Sequence, residues 1–357
     1  LKSFWGLFLA SHAGRFQKLS LPDVFFPRLA LGRARGALRG RFWTDFGSLM
    51  ISFLGILFSQ VPLPASLPFA SVLLAAANTA TPIVVAADGI LCDLTRTLVG
   101  NQANVICLIK PGTDPHSMAL RPADRQTLAK AKIVLLNGYN LTPALNKIRT
   151  PGTVVKVGNI AVPNNSAKDP HIWHDPANVI AMANTVASSL KPLFDANGDA
   201  AIDQRRAKAD RVLASLGSWI GQQVATVPEK QRVVVTGHRT YDFLAKRYGV
   251  RELPVLDDYT TGGTLRPSSL SAISKSIKAS GSKAIFPESL PPSKTMRRIS
   301  RSSGVPIAKQ VPFGDGQAPG KSLVQTATSN VCIFVNAQGG SCDQESASQL
   351  QKRWSAI

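Results

Sequence analysis

Histidine is scarce in this chain of 357 residues, with five in all, and cysteine is scarcer still, with four. No Cys-x-x-Cys occurs, which disfavours a thiolate zinc site and thioredoxin-like redox chemistry. His-Glu-x-x-His, a Gly-x-Ser-x-Gly elbow and a Walker phosphate loop are also missing, so the commonest zinc-protease, serine-hydrolase and nucleotide-hydrolase patterns are not present. Nor is there a zinc-finger spacing, a helix-turn-helix signature or a basic strand studded with aromatics.

Negative charge is in deficit, and the net charge is +20. Residues 1–77 hold eight Lys/Arg and two Asp, which leaves 33 basic against 19 acidic residues in the remainder. The excess is spread over Lys110, Arg121, Lys130, Lys132, Arg205, Arg206, Arg297, Arg298 and Arg301. Without a nucleic-acid motif beside it, this charge reads as a solubility trait, and no nucleic-acid partner is expected.

The widest gap in charge runs from Asp45 to Asp88. Within it, Met50 to Ala77 is almost wholly apolar, with Pro62, Pro64 and Pro68 set against a straight membrane-spanning helix. Arg39 and Arg41 lie upstream, and Ala75 and Ala77 offer a small-residue cleavage site, so the segment reads as a secretory signal peptide. The alternative is an uncleaved membrane anchor. No Leu-x-x-Cys lipobox precedes the mature region. The chain opens with Leu1 and its first methionine is Met50, so part of residues 1–49 reads as mis-assigned upstream sequence. Export favours disulfides, and near-neighbour pairing joins Cys332 to Cys342 and Cys92 to Cys107. For Cys92 and Cys107 the alternative is a pair of buried small hydrophobes.

After Pro82, short apolar runs alternate with amphipathic stretches, the pattern of βαβ units and a parallel sheet. Strands are expected at 83–87, 104–110, 132–138 and 153–159, with helices at 89–99 and over ADRQTLAKA. Residues 178–227 read as helical, broken at DANGD (195–199), and the second part from Ala200 to about Thr226 is long enough for a strut between lobes. The grammar then repeats, with strands at 232–238, 283–289 and 305–311, helices between them, and a last helix over about 321–337. The expected fold is α/β: two (β/α) lobes with parallel sheets joined by one long rigid helix. Its boundaries are a leader at 1–80, an N-terminal lobe at 81–197, a linking helix at 198–228 and a C-terminal lobe at 229–357.

One histidine, His12, lies in the leader; the others are His116 in PGTDPHSM, His171 and His174 in DPHIWHDP, and His238 in VVVTGHRTYDF. His116 follows one predicted strand and His238 ends another. Ligands of open α/β sheets bind beyond the carboxyl ends of strands. Histidines from separate strand ends therefore converge on one crevice, which points to a metal ion.

On these stretches, together with GILCDLTRTLVG, KAIFPES and VPFGDGQAPG, the chain resembles the zinc/manganese solute-binding proteins of ABC importers, the TroA-like or cluster A-I family, over roughly residues 83–340. The resemblance implies two lobes joined by a rigid helix with the ion at their interface. It implies His116, His171, His238 and Asp315 as the ligands, two from each lobe. His238 stands where zinc-type members have His and manganese-type members have Glu, so the expected cargo is Zn2+, with Mn2+ the alternative. His174 is i+3 from His171, but the family pattern places the ligand at the His of Asp-Pro-His, so His174 is read as supporting or structural. Asp114 and Asp169 each precede a ligand by two residues and, with Glu288 at another strand end, are candidates to orient the imidazoles.

The resemblance further implies an exported, periplasmic, monomeric carrier working with a separately encoded permease and ATPase, and not an enzyme. A metal-dependent surface adhesin and a zinc hydrolase are the rival readings. Two departures stand out: GNIAVPNNSAKDPH lacks the long His-rich loop of many zinc members, and TSNVCIFVNAQGGSCD is unlike the usual charged closing helix.

Overall fold

The computed structural model describes residues 81–261, Gly263 and 265–357. The leader, its apolar stretch, the cleavage site and His12 lie outside the described residues. Among the described residues, no helix is long and apolar enough to cross a membrane.

The first sheet contains β1 (Ile83–Ala86), β2 (Asn104–Cys107), β3 (Ile133–Leu136) and β4 (Thr153–Lys156) in the order β2-β1-β3-β4, all parallel. Helices α1 (Gly89–Val99), α2 (Pro122–Lys130), α3 (Val157–Ala161) and α4 (Pro176–Leu190) accompany it. The central strands β1 and β3 are apolar almost throughout, as a sheet covered on both faces requires. Val84, Ala86 and Leu135 face one core, while Val85, Val134 and Leu136 face a second.

A single helix, α5 (Ala196–Ala225), leads to the second sheet. Its 30 residues span about 45 Å at 1.5 Å per residue. The helix starts inside DANGD, earlier than the sequence suggests. Asp195 caps it by accepting from the Gly198 amide (2.8 Å), and a side chain at Gly198 would overlap Phe194, so the glycine serves close packing instead of breaking the helix. Ile202, Val212, Leu213, Leu216, Trp219 and Ile220 form an apolar stripe at helical spacing, and all are buried.

The second sheet holds β5 (Val233–His238), β6 (Arg251–Leu256) and β7 (Ile285–Phe286) in the order β6-β5-β7, again parallel. Its helices are α6 (Asp242–Tyr248), α7 (Pro267–Ala279) and α8 (Lys294–Ser303). The segment 305–311, expected as a strand, pairs only through Ile307 with Ile285. Pro306 has no N–H to extend the ladder. Pro287 likewise follows β7 directly, so that strand is shorter than 283–289.

Helices α9 (Leu323–Ala337) and α10 (Gln344–Ser355) close the chain, the second beyond the last helix expected from sequence. Both return to the first lobe at Asp93, whose carboxylate accepts from the Leu323 amide (2.8 Å) and from Trp354 Nε1 (2.9 Å). Disulfides join Cys92 to Cys107, tying α1 to β2, and Cys332 to Cys342, tying α9 to the turn before α10.

Candidate metal centre

Four loops or strand ends face one another where the carboxyl ends of the two sheets meet. His116 lies in the loop after β2, and His171 directly precedes a 3-10 turn, Ile172–His174. His238 is the last residue of β5, and Asp315 lies in the loop leading to α9. One donor atom from each lies within 4.8 Å of the other three. Asp315 Oδ1 is 3.7 Å from His116 Nε2, 3.4 Å from His171 Nε2 and 3.0 Å from His238 Nε2, and the first two nitrogens are 3.2 Å apart. A zinc–nitrogen bond of about 2.0–2.1 Å sets tetrahedral donors about 3.3–3.4 Å apart. These four separations bracket that value and the whole set lies within 4.8 Å, so the group can close on one tetrahedral ion.

Each imidazole is turned so that Nε2 faces the centre. Asp169 Oδ1 accepts both the His171 amide (2.9 Å) and its Nδ1–H (2.9 Å), which fixes the tautomer and the ring plane together. Glu288 Oε1 does the same for His238 Nδ1 (3.1 Å). A Cβ at residue 237 would overlap the Glu288 carboxylate, which explains the glycine in TGH. Asp114 supports His116 differently, accepting its backbone amide at 2.8 Å and leaving Nδ1 alone.

The electrostatics follow from packing three imidazoles around a buried carboxylate. Burial alone would raise the Asp315 pKa, but hydrogen bonds from His116, His171 and His238 hold it well below the usual carboxylate range. For His238, burial pulls the pKa down, and Asp315 and Glu288 more than reverse it, to about 10. His171 is raised in the same way, against its burial, by Asp169 and Asp315. The centre is therefore built to favour positive charge.

His174 is not in this group. Its Nε2 lies 2.9 Å from the Gly314 carbonyl, and its ring packs at a tilt against Tyr241, with centroids 4.5 Å apart. Burial, aided by the nearby charge on His171, pushes its pKa down to about 3, so the ring is neutral and its Nε2–H donates to Gly314.

Several contributing residues carry little readable signal in the sequence. Thr240 Oγ1 lies 3.1 Å from His238 Nε2. Glu252, on β6, holds the turn after His238: one oxygen accepts from Thr236 Oγ1 (3.0 Å) and from the amides of Thr240 (2.9 Å) and Tyr241 (3.0 Å). A lone acid in the otherwise largely apolar RELPVL run was the available hint. Thr261 reaches across from the loop after β6 to Asp114.

Two parallel sheets whose strand ends bring three imidazoles and one carboxylate together define a two-lobed protein able to bind a metal ion. The chain belongs to the family described as zinc-uptake complex component A, periplasmic, whose family model matches residues 84–337. It is similar to the manganese-binding lipoprotein MntA of Halalkalibacterium halodurans, 26% identical over 244 residues, which covers 64% of this chain and 78% of that one. It is also similar to the zinc-binding protein TroA of Treponema pallidum, 25% identical over 281 residues, 73% of this chain and 90% of the other. The solved structure of the Treponema pallidum periplasmic zinc-binding protein TroA matches with a TM-score of 0.67 at 24% identity, covering 72% of this chain and 99% of that one. At that identity the structural match speaks for the fold, and it agrees with the two-lobe α/β arrangement.

Proposed function

We propose that this chain is the extracytoplasmic binding subunit of an ABC importer that captures Zn2+, with Mn2+ as the alternative cargo, and delivers it to a membrane permease driven by an ATPase on separate polypeptides. The observation that carries the reading is the convergence of His116, His171, His238 and Asp315 within 4.8 Å, buried between the two sheets. Family membership and relatives named for manganese or zinc support it. The ligand set is closed, with three nitrogens and one oxygen, which suits a carried ion better than a hydrolytic site that keeps a position open for water. A catalytic role is therefore not part of the proposal. The uncharged stretch 46–87 supports a periplasmic location, free or tethered.

Zinc is favoured over manganese because three imidazoles suit a borderline ion, while manganese prefers harder oxygen donors and higher coordination. Competitive titration of the mature chain with both ions tests this. Wild type is expected to prefer zinc, and His238→Glu to narrow the gap. Equal affinity in wild type, or an unchanged ratio in the variant, rules out His238 as the selector.

A further inference from the structure

Of the hydrogen bonds that cross between the lobes, two side-chain bonds end on a loop that carries a candidate ligand, beside the backbone bond from the Gly112 amide to the Gln317 carbonyl (2.8 Å) that joins the same two loops. From the second lobe, Thr261 Oγ1 donates to Asp114 Oδ2 at 2.7 Å, while the other oxygen of the same carboxylate accepts the His116 amide at 2.8 Å. From the first lobe, His174 Nε2–H donates to the Gly314 carbonyl at 2.9 Å, one residue before Asp315. We propose that His174 and Thr261 are reciprocal positioning residues: each belongs to one lobe and fixes a metal-ligand loop of the other, so retention of the ion depends on two hydrogen bonds that do not touch it.

The loop bearing Asp315 makes the need clear. Among the described residues its only ladder contact is at Ile307, so no sheet holds residues 311–317, and at the far end the Gln317 carbonyl accepts from the Gly112 amide of the first lobe (2.8 Å). Asn330 grips Phe313 from the same lobe, accepting its amide (2.8 Å) and donating to its carbonyl (2.7 Å). The next carbonyl, that of Gly314, is taken by His174, 140 positions away in sequence. Tyr241, three residues beyond His238, packs against the His174 ring with the two planes tilted by 47°. His174 is thus clamped before it clamps, which is what a group acting through another residue requires. The Thr261 contact is the mirror case: Asp114 by itself could swing about its χ angles, and the second-lobe hydroxyl pins the oxygen that the His116 amide does not use.

Opening the lobes would break both bonds and loosen His116 and Asp315 together, one ligand from each side. Ion release and lobe separation are coupled by geometry alone.

This inference rests on the four-residue ligand set above. The test uses the mature chain with four single substitutions. Thr261→Val and His174→Leu remove the donor and keep bulk, while Thr261→Ser and His174→Gln keep a donor at the same reach. Three readouts are taken: the rate of Zn2+ release into excess EDTA, the visible absorption of the Co2+ form, and the thermal midpoint of the metal-free protein. The valine and leucine variants are expected to release zinc about 10–100-fold faster, the range found when groups supporting a metal ligand are removed. They should also show altered Co2+ bands, with the serine and glutamine variants returning toward the parent. Parental release rates and Co2+ spectra in both the valine and leucine variants overturn the proposal. So does a failure of the conservative variants to rescue, which marks the effect as packing. If the parent itself binds neither Zn2+ nor Co2+, the ligand assignment has failed and the positioning role falls with it; if the parent binds and the variants match it, only the positioning role falls.

Discussion

The two lobes each bring two candidate ligands to the centre, but they support them in opposite ways. In the first lobe the support is local. Asp114 and Asp169 lie two residues before His116 and His171, and each bonds the backbone amide of its histidine (2.8 and 2.9 Å). In the second lobe the support is remote. His238 is oriented by Glu288, 50 positions on, and the Asp315 loop by Asn330 in its own lobe and by His174 from the other. An Asp-x-His turn holds its ligand's backbone from within the loop, even though Thr261 completes the Asp114 turn from the second lobe, whereas ligands supported wholly from a distance are placed only once the fold is complete.

The largest expected effect is loss of a ligand, and it sharpens this contrast. His171→Ala and His238→Ala should each lower zinc affinity by more than the about 10–100-fold typical of a supporting group. Isothermal titration checks this, and unchanged affinity in both variants discards the site. The metal-free proteins should differ. His171→Ala leaves the carboxylate of Asp169, only 2% exposed, without its ring partner, while His238→Ala leaves Glu288, whose side chain is 40% exposed, free to take water. The thermal midpoint is therefore expected to fall further for His171→Ala.

This contrast also decides what the sequence could reveal. His116 and His171 are legible because the supporting acid and the ligand sit in one short motif. His238 is legible because it ends a predicted strand, in the TGH that the family resemblance singles out. The alternation of apolar runs with amphipathic stretches gives away both parallel sheets, and the apolar stripe on α5 gives away the long helix. What stays hidden depends on contacts between distant positions. The bond from His174 to Gly314, the grip of Glu252 on the turn after His238, and the reach of Thr261 exist only after the two sheets meet. Local signals also mislead where packing overrides them. Asn-Gly in DANGD reads as a break, yet the glycine lets α5 start close against Phe194, and VPIAKQV reads as a strand although Pro306 interrupts its ladder.

A buried acid that serves no histidine offers the next test. Asp88 caps α1 by accepting the Leu91 amide (2.9 Å), and burial pushes its pKa up to about 6 from 3.8 despite that bond. With a folded pKa above the unfolded one, the folded state holds more protons between about pH 4 and 6. The contribution of Asp88 to stability is therefore greatest below that window, falls as pH rises through it, and is flat above. At about 1.4 kcal/mol per pKa unit, the loss is on the order of 3 kcal/mol. Asp88→Asn keeps the cap acceptor and removes the charge, so it should stabilise the metal-free protein at neutral pH by up to about that amount and reduce the slope between pH 4 and 6, leaving the part that belongs to Glu252, whose pKa burial pushes up to about 7. Denaturant unfolding across this range is the measurement, and zinc affinity should not change. A parental slope in the variant means that another group titrates there.

The smallest effect probes the comparison directly, through Asp169→Asn and Glu288→Gln. Both substitutions keep an oxygen that can accept the imidazole Nδ1–H, so ring orientation survives and only the negative charge behind the ring is lost. That charge makes the ligand nitrogen a stronger donor to the ion. For Asp169, buried and bonded to His171 through both amide and ring, water cannot compensate, and a loss of about 10–100-fold in zinc affinity is expected. Glu288 works at the edge of solvent, where screening already weakens its charge, so its loss should be less than about tenfold. Competition with a chelating dye at one pH measures both, and raising the salt concentration should shrink the Glu288 effect more than the Asp169 effect. If Glu288→Gln costs as much as Asp169→Asn, exposure does not set the strength of the support. Remote and local carboxylates are then equivalent once the fold has formed, and the difference between the lobes lies only in how each is assembled.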